Sequence, residues 1–197
     1  MKTKEPPDGG SLALPPNRTA PRSAFQAPAD RHEKMVAAAA WLAGQGFADI
    51  AWAPVAQGKA PSRHWKSDAT DDPGLIPALL AGARNCLVVP KGRGVVIDYD
   101  DARAWPELEA AGMPDTFRID TPTPGHGHVY AWAPPTVDMS TVPASFEWGE
   151  VRRSTKDERT SGMVLGPFAL RSDGVYLPAT ICRTIAVLPT SVIEYLR

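Results

Sequence analysis

The chain has 197 residues, 43% hydrophobic and 22% charged, which fits one globular domain with a tail and a sizeable core. A net charge of −1 excludes a global basic field, so any polyanion must be held by a local patch. With no apolar run near the roughly 20 residues a bilayer needs, no apolar signal core and no C-x-x-C, the sequence reads as cytoplasmic, with Cys86 and Cys182 as buried thiols rather than a disulfide or zinc framework.

Residues 1–30 are rich in Pro, Gly, Ser and Ala without periodicity, and read as a disordered tail ahead of one domain over 31–197. Residues 33–45 (EKMVAAAAWLAGQ) put Met35, Ala39 and Leu42 on one stripe, which predicts a helix. Residues 47–55 predict a strand, 57–61 a loop, and 75–81 a helix capped by Thr70 or Asp71 and shortened by Pro77. Residues 86–89 (CLVV) and 94–98 (GVVID) are continuous apolar runs across Pro90-Lys91-Gly92-Arg93, which predicts a hairpin buried on both faces. A helix over 102–111 should stop at Gly112. Strands follow at 116–120 and 128–132, then 146–152 and 163–165, with edge strands at 175–177 and 184–187 and a closing helix over 189–196. Strands outnumber helices and follow one another as hairpins. The class is α+β with a largely antiparallel central sheet flanked by helices.

Three features fall at strand ends. Asp98 and Asp100 are i and i+2, so on a strand both carboxylates share a face, and two aligned carboxylates call for a cation such as Mg²⁺ or Mn²⁺. A lone Asp-x-Asp is a weak signal and equally describes a solvated acidic turn. Gly125-His126-Gly127-His128 is a loop whose glycines admit close approach, with His128 able to donate to phosphate. His126 and His128 have zinc-like spacing but lack a third nitrogen or sulfur ligand. Glu150 and Arg152 share a strand face, as an ion pair or as metal ligand and phosphate contact. Three carboxylates with a histidine and basic groups describe a site for a metal–nucleoside triphosphate complex.

The order of motifs resembles the N-terminal primase–polymerase (prim-pol) domain of the archaeo-eukaryotic primase superfamily, found in replication proteins of plasmids, phages and integrated elements. The matching residues run from the Ala-rich helix and Gly46-Phe47 through Lys59-Ala60-Pro61, Trp65, Ala69-Thr70-Asp71-Asp72-Pro73 and Asp98-Tyr99-Asp100. They continue through Pro114-Asp115-Thr116, Thr121-Pro122, Gly125-His126-Gly127-His128, Glu150-Val151-Arg152, Gly166-Pro167, Asp173-Gly174-Val175-Tyr176 and Leu188-Pro189. His126 replaces the second glycine of the family's G-G-x-H, and 166–169 lacks the usual serine.

The resemblance implies an RRM-like catalytic core and DNA primase/polymerase activity with two divalent metals, Mg²⁺ or Mn²⁺. It implies Asp98, Asp100 and Glu150 as catalytic metal ligands and His128 as the triphosphate contact. Arg152, Lys59 and His126 become further contacts for nucleotide or template. The partners implied are (d)NTPs, a single-stranded DNA template or primer, and a helicase in a separate chain or a further region. Competing expectations are a non-catalytic nucleotide- or single-strand-binding replication or defence module, and a metal-dependent nuclease built on the same acids. Arg153, Lys156 and Arg159 form a charged loop beside Glu150 that would guide template phosphates.

Overall fold

The computed structural model describes residues 28–53, 68–154, 162–179 and 182–197. Helix α1 (Pro28–Gly44) begins slightly ahead of the expected start and fully buries Met35, Ala39 and Leu42, the stripe its sequence marks. Strand β1 (Ala48–Ala53) pairs antiparallel with β2 (Asn85–Pro90), and β2 with β8 (Val164–Leu165). The helix expected at 75–81 is a single turn, α2 (Ile76–Leu79), with no side-chain cap. Thr70 instead forms a backbone bridge with Ile50, and the Asp72 carboxylate accepts from the Gly74 N–H.

The second sheet has seven strands. Its path is β11 (Leu177–Pro178), β4 (Arg118–Asp120), β5 (Gly127–Trp132), β3 (Gly94–Tyr99), β7 (Gly149–Arg153) and β6 (Ser145–Phe146). Strand β12 (Ala186–Val187) joins β5 in parallel, and β9 (Leu170–Arg171) with β10 (Gly174–Val175) forms a separate small hairpin. The class is therefore α+β with mostly antiparallel sheets, as its hairpin pattern predicts.

One face of the seven-stranded sheet packs against α3 (Ala104–Ala110) and α4 (Thr190–Tyr195). Ile97, Val129 and Val151 meet Leu108, Val192 and Leu196 there, each buried side chain contributing about 1.5–3 kcal/mol. The other face, with Val96, Ile119 and Tyr130, packs against the three-stranded sheet and α1. The flanking layer is thus helical on one side and a second sheet on the other.

Two local expectations change. The runs at 86–89 and 94–98 are both strands, buried along their whole length, but they do not pair. The turn between them is tied to the first sheet: the Lys91 N–H donates to the Phe47 carbonyl at 2.8 Å and the Gly94 N–H to the Lys91 carbonyl at 2.7 Å. The chain therefore steps from one layer to the next instead of folding back. A Cβ at Gly94 would stand 2.5 Å from the Phe47 carbonyl oxygen, so the step needs glycine. The strand expected over 146–152 is itself a tight hairpin, with Phe146 opposite Gly149 and Glu147-Trp148 as its turn. The thiol expectation holds for Cys86, which is fully buried. Cys182 is only half-buried, and both are free.

Candidate active site

Alternation on β3 decides which side chains reach the site. Val95, Ile97 and Tyr99 belong to the helix-covered face, so Val96 and Asp98 project from the opposite face. Register then builds a row. Asp98 stands opposite His128 of β5 on one side and opposite Glu150 of β7 on the other. Neighbouring strands lie about 4.8 Å apart, so the three side chains sit abreast. The next row on the same face holds Tyr130, Val96 and Arg152.

The contacts follow from this placement. Asp98 Oδ1 lies 3.3 Å from His128 Nε2, and Oδ2 lies 3.8 Å from the Arg152 guanidinium. Arg152 also ion-pairs with Glu150. One guanidinium thus bridges two carboxylates that would otherwise repel across the strand pair. The Asp98 and His128 side chains are buried, at 7% and 3% exposure, whereas Glu150 is 40% exposed. The row depends on close approach of β7 to β3. Gly149 has φ 156°, and a Cβ there would collide with the Asp98 carbonyl oxygen.

Asp100 lies just past β3. Its N–H donates to the Trp148 carbonyl at 2.8 Å, and its carboxylate, 67% exposed, sits 3.2 Å from His126 Nδ1. Asp101, next in the acidic run, serves the fold. Its carboxylate accepts from the Arg103 backbone N–H at 2.8 Å at the head of α3, and the Arg103 guanidinium holds its carboxyl down to about 2.

The structure brings together His128, Asp98, Glu150 and Arg152 directly, and sets Asp100 with His126 at the strand end beside them. Lys59, Trp65, Lys156 and Arg159 lie outside the described residues. Arg153 registers with Val95, on the helix-covered face, so it does not stand among the acids as the charged-loop expectation required. Burial lowers the pKa of its guanidinium.

Tyr130 and Tyr176 add to this face. The Tyr176 ring packs on His128 with centroids 5.5 Å apart, and its hydroxyl accepts from Arg171 at 3.2 Å. Burial pushes the Tyr130 phenol well above its ordinary range, and Tyr176 upward as well, so both remain neutral hydroxyls. Tyr130 was open to discovery by alternation, since it follows His128 by two on β5. Tyr176 ends the Asp173-Gly174-Val175-Tyr176 stretch, but nothing local says that its ring reaches His128.

Buried His128 Nδ1, Arg152 Nε and the Tyr130 hydroxyl have no hydrogen-bond partner. Buried polar groups are nearly always paired, so three unpaired ones on one face mark a place where a polar ligand belongs. Among the described residues, no three His, Cys, Asp or Glu side chains converge on one metal-sized point. The acids are nevertheless oxygen donors of the type that Mg²⁺ and Mn²⁺ take, and the bridge from Arg152 shows that the pair Asp98/Glu150 requires a positive charge.

The family model for the bifunctional DNA primase/polymerase N-terminal domain matches residues 39–191. The chain belongs to this family. No individually curated protein matches the chain. A DNA primase/polymerase-type function goes with the prim-pol family, as do nucleotidyl transfer and a general dependence on divalent metal. Among the described residues of this prim-pol chain, no helix is long and apolar enough to cross a membrane.

Proposed function

We propose that this chain is a template-directed nucleotidyltransferase whose catalytic acids are Asp98, Asp100 and Glu150. The observation that carries the reading is the cross-strand row of His128, Asp98 and Glu150 with Arg152 beside it, in a chain of the prim-pol family. The 3′-hydroxyl of a primer or an initiating nucleotide attacks the α-phosphate of a (d)NTP, the bond to the β-phosphate oxygen breaks, and pyrophosphate leaves. Asp98, Asp100 and Glu150 would hold Mg²⁺ or Mn²⁺, which would supply positive charge to the attacking and leaving oxygens and to the triphosphate. His128 and Arg152 contact the triphosphate. Arg152 then exchanges its carboxylate partners for phosphate oxygens, a planar donor suited to both. Asp98 is fixed by its strand and holds His128 in place. His126 and Lys59 make further contacts with nucleotide or template.

The chain acts on a single-stranded DNA template in the cytoplasm, in replication of a plasmid, phage or integrated element, with a helicase exposing that strand. Incorporation of labelled dNTPs and NTPs on a single-stranded template tests the reading. Wild type should give product with Mg²⁺ or Mn²⁺, chelator should abolish it, and Asp98→Ala/Asp100→Ala should remove it. Equal incorporation by wild type and the double variant would sink the site assignment. Nucleotide binding without product on any template would favour a non-catalytic module, and loss of input DNA a nuclease.

A further inference from the structure

A groove of about 380 Å³ runs along α1, against Phe117 ahead of β4 and against the turn that follows β8. Helix periodicity sets Lys34, Ala38 and Trp41 on one stripe of α1, so small residues form a floor between a cation and an indole. Trp41 and Phe117 meet edge to face with centroids 5.0 Å apart. Phe168 forms another wall, and among the described residues the lining carries two cations, Lys34 and Arg183, and no acid. Both cations are exposed. Lys34 reaches Asp30 at 2.8 Å across one helical turn, an exposed pair of the kind that competes weakly with a phosphate.

The Phe168 wall is held under strain. Its φ is 61°, a conformation that costs a residue with a side chain and persists where surrounding contacts impose it. Those contacts are present: Arg31 Nη1 donates to the Phe168 carbonyl at 2.6 Å, and the Phe168 N–H donates to the Tyr176 carbonyl at 2.8 Å. Tyr176 is the residue whose ring packs on His128, and Phe117 packs on Tyr130 at 5.1 Å. One layer of tyrosine rings therefore joins the groove walls to the Asp98 face.

We propose that this groove is a subsite for single-stranded nucleic acid, with a base against Trp41 and Phe168, backed by buried Phe117, and the neighbouring phosphates toward Lys34 and Arg183. Aromatic surfaces accept any base because every base has a π-face, and flanking cations track the backbone. Among the described residues the lining holds two cations and no acid, with Asp30 only at the rim on Lys34, a local anion-accepting patch on a chain of net charge −1. The volume falls within the range of small-ligand sites, enough for a segment of one strand and too small for a duplex. The subsite is distinct from the nucleotidyl-transfer site, and its test needs no turnover.

The test uses a thiol of the intact chain. Cys182 lines the groove, whereas Cys86 is fully buried and burial pushes its thiol up to about 12, so a neutral maleimide modifies Cys182. Saturating oligothymidylate should slow that modification severalfold, and added salt should restore the rate. Arg183→Glu should weaken oligothymidylate affinity about tenfold at low salt and reduce the log–log salt slope by about 0.7 for each phosphate no longer neutralised. Binding of the oligonucleotide that leaves both Cys182 modification and the Arg183→Glu affinity unchanged overturns the groove, and so does a failure of the wild type to bind any oligonucleotide. A wild type that protects Cys182 but incorporates no nucleotide keeps the groove and sinks the transferase reading, so the two failures are distinguishable.

Discussion

Asp98 with His128 and Asp100 with His126 are two acid–imidazole pairs of nearly equal length, 3.3 and 3.2 Å, made by residues two apart on both partners. Their surroundings are opposite. The first pair lies inside the sheet, flanked by β7 and covered by Tyr176, with side chains 7% and 3% exposed. The second lies past the strand ends, with Asp100 67% exposed. A charge interaction at one distance is far stronger in a buried setting than in water, where solvent screens it. Distance therefore does not rank these pairs; the point at which β3 and β5 cease to pair does.

The sharpest way to break the comparison is at Asp98. Asp98→Asn should reduce nucleotide incorporation about 10³-fold, because it removes the charge on which His128 and Arg152 converge. The same change should lower stability by about 1–3 kcal/mol in urea unfolding, since buried His128 and half-buried Arg152 lose a charge-assisted interaction. Asp100→Asn should also cost activity, about 10²-fold, if its carboxylate serves the reaction. Its unfolding free energy should stay within about 0.5 kcal/mol of wild type, as for other exposed positions. Equal destabilisation by the two variants would erase the contrast between strand and strand end. Loss of stability without loss of incorporation at Asp98 would make that carboxylate structural.

Gly149→Ala tests the backbone that makes the buried pair possible. The new methyl would meet the Asp98 carbonyl, and φ 156° would strain any residue with a side chain. The expected cost is about 1–3 kcal/mol of stability. Incorporation should fall about tenfold as β7 shifts and carries Glu150 away from Asp98, a misplacement of about 1 Å being enough for such a loss. An unchanged rate would mean that the row tolerates a shift of β7, and that Glu150 acts from outside the strand register.

Much of this was legible in the residues. The continuous apolar run of 94–98 and the apolar stretch of 128–132 mark strands, and Asp98 and His128 each fall at the end of one. The stripe of α1 and the stop of α3 follow from local chemistry in the same way. Pairing partners did not. Pro90-Lys91-Gly92-Arg93 looks like a hairpin loop by composition, and only the long-range bond from Lys91 to Phe47 turns it into a step between layers. Glu150 was visible as an acid beside Arg152, but its place opposite Asp98 depends on the hairpin at Glu147-Trp148, which the sequence runs together as one strand. The groove along α1 left no motif, since its walls come from three distant segments and its floor from alanines that read as ordinary helix formers.

The smallest expected effect is at His126, and it bears directly on the contrast between the pairs. His126 replaces a glycine in the family's G-G-x-H loop, and its imidazole is the partner of Asp100. An exposed pair of this kind contributes about 0.2–1 kcal/mol. His126→Ala should therefore change nucleotide affinity by less than about fivefold, and His126→Gly should behave in the same way. His128→Ala, in contrast, removes the buried neighbour of Asp98 and should weaken triphosphate binding by an order of magnitude or more. Salt separates the two mechanisms. Screening acts on exposed charges and hardly on buried ones. As salt rises, the ratio of wild-type to His126→Ala affinity should approach unity, while the ratio for His128→Ala should hold. A His126 effect that is large and insensitive to salt would place that imidazole on the bound nucleotide itself, and would make the second pair part of the same site as the first.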